Sequence, residues 1–87
     1  MLMETALEDF QLNLAAERGY SPRTAQSYLS DLRSFSAYAC REGWDGTVEQ
    51  VTAALIRSWM TAMKEEGRAN ATIARRLHGL RAFWRFL

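Results

Sequence analysis

The sequence is short of the residues on which most site chemistry depends. Its 87 residues hold one cysteine, Cys40, one histidine, His78, one proline, Pro22, and one lysine, Lys64. A single cysteine excludes an internal disulfide and leaves a thiolate metal site without partners. His78 has no acid on its own segment to orient it, so no catalytic residue, no metal and no cofactor is expected in this chain. No apolar run approaches the roughly 18 residues of a membrane span. The opening MLMETALEDF carries acids where an export signal would carry basic residues. A reduced, cytoplasmic chain with no membrane partner is the expectation. Strand-like alternation never lasts more than a few residues, and repeats and low-complexity tracts are absent.

What is present is apolar side chain and arginine. The hydrophobic fraction is 48%, with three Trp, three Tyr and four Phe, enough for one packed core at this length. The net charge of +1 conceals an asymmetry. Residues 67–87 contain Arg68, Arg75, Arg76, Arg81 and Arg85 and no acid, while the rest sets six basic residues against ten acidic ones. Ten of the eleven basic residues are arginine. The guanidinium fork suits phosphates and guanine edges, so the bias favours an anionic partner. A solvated helix face beside an acidic neighbour explains the same charges, and composition does not separate the two.

Glycine and proline divide the chain into four segments rich in helix formers. The first runs from about Thr5 to Glu17, with Leu7, Phe10, Leu12 and Leu14 as its apolar side and Gly19 as its stop. The second opens with Ser21 as N-cap and Pro22 at the first helical position, and runs to Arg41 or Glu42. Ala25, Tyr28, Leu29, Leu32, Phe35 and Ala39 fall on one stripe of it. A turn, Gly43-Trp44-Asp45-Gly46, with Trp44 buried, leads through a short turn at residues 47–50. Thr52 then caps a third helix from about Ala53 to Glu66, with Leu55, Ile56, Trp59 and Met63 inward and Gly67 as stop. The fourth begins near Asn70, its best cap by residue type, and turns Ile73, Leu77, Leu80, Trp84 and Leu87 inward. The expected fold is all-α, a compact four-helix bundle.

The outward faces hold the candidates for function. Helix two carries Arg23, Ser27, Ser30, Ser34 and Arg41 opposite its core stripe, with Thr24 and Gln26 beside them. Helix four carries Thr72, Arg75, Arg76 and Gly79 on the arc away from its stripe, and Arg81, Arg85 and His78 on another flank. Gly79 costs about 1 kcal/mol in a helix interior relative to alanine, which points to close approach of a neighbouring helix or a ligand. Cys40, with no base beside it, reads as a small packed side chain. Phe86 points away from the inward stripe, and the sequence stops in mid-helix. The expectation is a domain cut from a longer polypeptide.

Two motifs carry a family resemblance. SPRTAQSYLSDLRSF, residues 21–35, resembles the S-x-x-T-x-x-x-Y-x-x-D-L-x-x-F pattern that opens the second helix of the core-binding domain of tyrosine recombinases. ATIARRLHGLRAFWRFL, residues 71–87, is similar to the T-I-x-R-R-L-x-x-L-R-x-F-Y-x-F-L signature of that domain's fourth helix. Xer-type recombinases and phage or integron integrases share both motifs, in this order and with one amphipathic helix between. The resemblance covers nearly the whole chain. This sequence has Ala69-Asn70 where the family often has Ser-Pro.

The resemblance implies a SAM-like bundle, residues 1–87, acting as the DNA-binding half of a clamp around a double-stranded recombination site. Its second and fourth helices lie against the major groove, and other recombinase protomers share the synaptic complex. The tyrosine nucleophile and its Arg/Lys/His set belong to a catalytic domain expected downstream, so this chain would bind DNA without cutting it. Carried over residue by residue, the DNA-binding positions are Arg23, Thr24, Gln26 and Ser27 on helix two and Thr72, Arg75 and Arg76 on helix four. The alternative is a helical protein–protein interaction module, a role the same fold also serves.

Overall fold

Caps and glycines set the helix boundaries. The computed structural model describes residues 1–16 and 19–87. Helix α1 spans Met3–Ala16. It starts before the expected Thr5, and Met3 in its added first turn is a buried core residue; the expected end at Glu17 lies outside the described residues. Helix α2 spans Pro22–Arg41, and the Ser21 hydroxyl accepts from the Thr24 amide at 3.2 Å. Pro22 fits the first turn because an N–H there would have no intrahelical acceptor. Gly43, at φ 90°, takes the left-handed conformation that turns the chain out of α2. A single 3-10 turn at Val48–Gln50 precedes α3, Ala53–Glu65, capped by the Thr52 hydroxyl on the Leu55 amide at 3.1 Å. Helix α4 spans Asn70–Phe86. Its cap is Ala69, with no side-chain bond, so Asn70 is the first helical residue rather than the cap.

The link between α2 and α3 is pinned rather than loose. Trp44 is half-buried, and its indole N–H donates to the Thr47 carbonyl at 2.9 Å. The Asp45 carboxylate accepts from the Thr47 amide at 2.9 Å and from its hydroxyl at 2.8 Å. Met3 N donates to the Gly46 carbonyl at 2.8 Å, and Val48 N to that of Met1 at 3.0 Å, so the start of the chain is tied to this link.

Helix α2 touches all three other helices. Leu29, Leu32, Phe35 and Ala39 are its fully buried face, as the stripe predicts. They meet Leu7, Phe10 and Leu14 of α1, Trp59 and Met63 of α3, and Ile73, Leu80 and Phe83 of α4 in one core. Burying each such large side chain contributes about 1.5–3 kcal/mol. Phe10 is the hub of the α1/α4 side, with ring centroids of Phe83 at 5.4 Å and Phe86 at 5.3 Å. Phe35 is the hub of the α3 side, with Trp59 at 5.1 Å.

The expectations at Leu12, Cys40, Gly79, Trp84, Phe86 and Leu87 fail, for reasons of rotation about a helix axis. Leu12 is 69% exposed, because it lies roughly 200° around α1 from Phe10. Cys40 is exposed, one residue past the buried Ala39. On α4 the inward residues at the C-terminal end are Ala82 and Phe83, with Phe86 packed on the core. Trp84 and Leu87, expected inward, are exposed at 37% and 49%. Apolar residues occupy every side of this last turn and a half, so the neighbouring helices choose which face is covered. Gly79, expected on the outer arc, is buried.

Candidate nucleic-acid interface

Helices α2 and α4 run antiparallel, with Tyr28 against Gly79 and Asp31 against Arg75. A Cβ built on Gly79 would sit 3.3 Å from Tyr28 Cδ1, so the glycine's close approach is to a neighbouring helix. Tyr28 in turn stacks on Tyr20 with centroids 5.8 Å apart and lies 6.3 Å from the His78 ring. This aromatic stack fixes the spacing of the two helices at one end of the seam.

One turn along, a buried carboxylate organises the arginines. Asp31, 5% exposed, is the one acid on α2. Arg75 donates to it twice, Nε to Oδ2 at 3.0 Å and Nη2 to Oδ1 at 2.9 Å. These hydrogen bonds, with the carboxylate charge behind them, hold the Arg75 guanidinium above its already high ordinary pKa, so it is cationic at any working pH. Arg76 approaches the same carboxylate, Nε 3.6 Å from Oδ1, too far for a hydrogen bond. Its side chain is only 14% exposed, and its Nη1 reaches the Met63 sulfur at 3.7 Å. Two guanidiniums therefore share one negative charge, and the cluster keeps a net positive charge inside the α2/α4 seam.

The predicted DNA-binding residues fall into three places. Thr24, Ser27 and Arg75 line one cavity of about 180 Å³ at the seam, with Asp31 and His78. Arg23 and Gln26 are exposed on the first turns of α2, and Thr72 is half-buried one turn ahead of Arg75. Arg76, expected off the core stripe, turns inward against Met63 of α3. Thr24 also serves the helix itself, accepting from the Ser21 hydroxyl at 3.0 Å. Sequence reasoning missed Asp31 as the organiser. Its signal was available: a lone acid three residues after Tyr28, at the edge of the α2 core stripe.

A family model described as phage integrase, N-terminal SAM-like domain, matches residues 7–87. The chain belongs to that family. The match takes in the whole of α2 and α4, so all seven candidate residues of this integrase-family domain lie within it. The domain is similar to the tyrosine recombinase XerC of Mycobacterium sp. (strain KMS), 39% identical over 82 residues, which cover 93% of this chain and 27% of that protein. It is similar also to the tyrosine recombinase XerC of Mycobacterium tuberculosis (strain CDC 1551 / Oshkosh), 36% identical over 81 residues, covering 93% of this chain and 26% of that protein. The chain thus spans about a quarter of the length of these curated relatives. No solved structure matches it. Among the described residues, no His, Cys, Asp or Glu cluster is placed to hold a metal ion, and no helix is long and apolar enough to cross a membrane.

Proposed function

We propose that this chain is the DNA-binding module of a tyrosine site-specific recombinase or integrase. It grips the double-stranded recombination half-site through α2 and α4, in the cytoplasm and alongside other protomers, while catalysis belongs to another part of the parent protein. The observation that carries this reading is the bidentate Asp31–Arg75 contact at the open α2/α4 seam. Asp31 takes the Nε/Nη2 edge of the guanidinium, on a side chain that is 58% exposed, and Nη1 and the second N–H of Nη2 are not used in that contact. A fork already fixed in this way loses little rotamer freedom when it meets a phosphate or a base edge. Thr24 and Ser27, beside it, add hydroxyls that can donate to phosphate oxygens. The XerC relatives are named as tyrosine recombinases, which supports a DNA partner.

The experiment is a duplex titration of the 87-residue chain at several salt concentrations. With about four phosphates neutralised, log K falls against log salt with a slope near roughly −3.6. Absence of binding to any duplex at low salt would sink the reading. The second reading, a protein-interaction module, rests on one observation: an apolar groove of about 380 Å³ between α3 and α4, lined by Val51, Ile56, Met60, Leu77 and the exposed Trp84. Binding there would be much less sensitive to salt.

A further inference from the structure

A second cavity, about 190 Å³, lies farther along α2, where the chain turns from α3 into α4. Three arginines from three different parts of the fold line it: Arg41 at the end of α2, Arg68 in the α3–α4 link and Arg76 on α4. Arg76 is the unusual member. Its Nε is buried with no hydrogen-bond partner, and the acceptor at its Nη1 is a thioether, a weak one. Buried polar atoms are nearly always paired, so such an atom on a cavity wall needs an explanation. Asp31 gives it charge but no hydrogen bond, because its Oδ1 stands 3.6 Å from Nε. Nor does Ser34 on the same wall, whose hydroxyl already donates to the Ser30 carbonyl. The one acid on the wall, Glu66, meets Arg68 at 3.4 Å with both side chains about half exposed, a pair worth little in water. Among the described residues the wall therefore carries three positive charges and one weakly committed negative charge, with Asp31, shared with Arg75, behind Arg76.

We propose that Arg41, Arg68 and Arg76 form a pocket for one phosphate group. The cavity has room for a phosphate with some hydration. Guanidinium is the preferred partner of phosphate oxygens because its N–H pairs match their spacing. The phosphate comes from the backbone of the duplex, a choice of source that rests on the DNA-binding reading above. The pocket lies on the same α2/α4 seam as Arg75 but toward the C-terminal end of α2, so it would hold a backbone position separate from the Thr24–Ser27–Arg75 cavity.

The test uses the isotope-labelled 87-residue chain, following the arginine Nε–Hε signals by NMR against a short duplex of random sequence and, separately, inorganic phosphate. Alongside it, duplex affinity is measured against salt for wild type, Arg41→Gln and Arg68→Gln. Both replaced residues are exposed, so the thermal midpoint of each variant should match wild type. The expected result is saturable movement of the Arg41, Arg68 and Arg76 signals with duplex, and in each variant a shallower salt slope, by at most the roughly 0.9 that one phosphate contributes. Duplex binding with the full wild-type slope in both variants would overturn the pocket and leave the DNA-binding reading standing. Movement with inorganic phosphate but no duplex binding would keep the pocket and overturn the duplex as its source. Signals unmoved by either probe would overturn the proposal whole.

Discussion

Arg75 closes on Asp31 across the α2/α4 seam with both carboxylate oxygens engaged, at 2.9 and 3.0 Å and over a separation of 44 residues. The two partners sit in different surroundings: the Asp31 side chain is 6% exposed and that of Arg75 58%. The acid belongs to the interior and the arginine to the surface it presents.

That asymmetry makes the two alanine substitutions unequal. Asp31→Ala leaves Arg76, 14% exposed, without a counter-charge, while Arg75 turns to water. The expected cost is about 1–3 kcal/mol, the penalty of a buried group left unsatisfied. Arg75→Ala costs less, because Arg76 Nε stands 3.6 Å from Oδ1 and can close on it. Urea denaturation of both variants checks the order, and the reverse order would refute a reserve role for Arg76.

On DNA, Arg75→Ala should weaken binding to all duplexes alike and shallow the salt slope by about one unit, the signature of a phosphate contact. Arg75→Lys keeps the charge but loses the grip on Asp31, and should recover most of the affinity. Titrations of the full-length protein with cognate and scrambled half-sites decide it. A loss of roughly 1–3 kcal/mol confined to one base position would assign Arg75 to a guanine edge instead.

The C-terminal face of α4 is tested by neighbours. Phe83→Ala removes a fully buried ring that packs on Phe10 and should cost about 3–5 kcal/mol. Trp84→Ala, at a position 37% exposed, should cost distinctly less despite the larger ring. Leu77→Ala, half-buried, should fall near the low end of about 2–5 kcal/mol. Denaturant midpoints that put Trp84 ahead of Phe83 would mean that α4 is rotated from the position described.

Gly79 balances two effects. Alanine gains about 1 kcal/mol of helix propensity but sets its Cβ 3.3 Å from the Tyr28 ring. Gly79→Ala should therefore lie within about 1 kcal/mol of wild type. Gly79→Leu has no such compromise and should destabilise by about 1–3 kcal/mol through overpacking. Thermal melts of the two variants read this directly; an unperturbed leucine variant would show that the seam is looser than described.

Asp45 gives the link its pH dependence. The amide and hydroxyl of Thr47 hydrogen-bond its carboxylate and hold its pKa below the ordinary value of 3.8. A carboxyl lowered on folding stabilises above its unfolded pKa, and that contribution disappears as pH falls through the folded one. Asp45→Ala should therefore lower the urea midpoint at neutral pH, and the gap to wild type should close as the pH is taken well below 3.8. A gap independent of pH would mean that the charged form is not what Thr47 holds.

The sequence by itself determined the four helices, most of their ends and the α2 core stripe. Those features are local. Ser21 and Thr52 bond amides three residues away, Gly43 and Gly67 supply left-handed turns, and the 3.6-residue period of Ala25, Leu29, Leu32 and Phe35 needs no partner to be read. The two motifs also named the family on sequence alone. Only the tertiary structure decided which side of α4 faces inward, because Phe83, Trp84, Phe86 and Leu87 surround the helix and the position of Phe10 selects among them. It alone decided the state of the arginines. Asp31 and Arg75 are 44 residues apart, and nothing local distinguishes an arginine that will be held by a buried carboxylate from its neighbour, which the same fold turns inward against Met63. Hydrogen bonds and charge are settled by which groups the packed helices bring within about 3 Å, and that distance is a property of the assembled bundle.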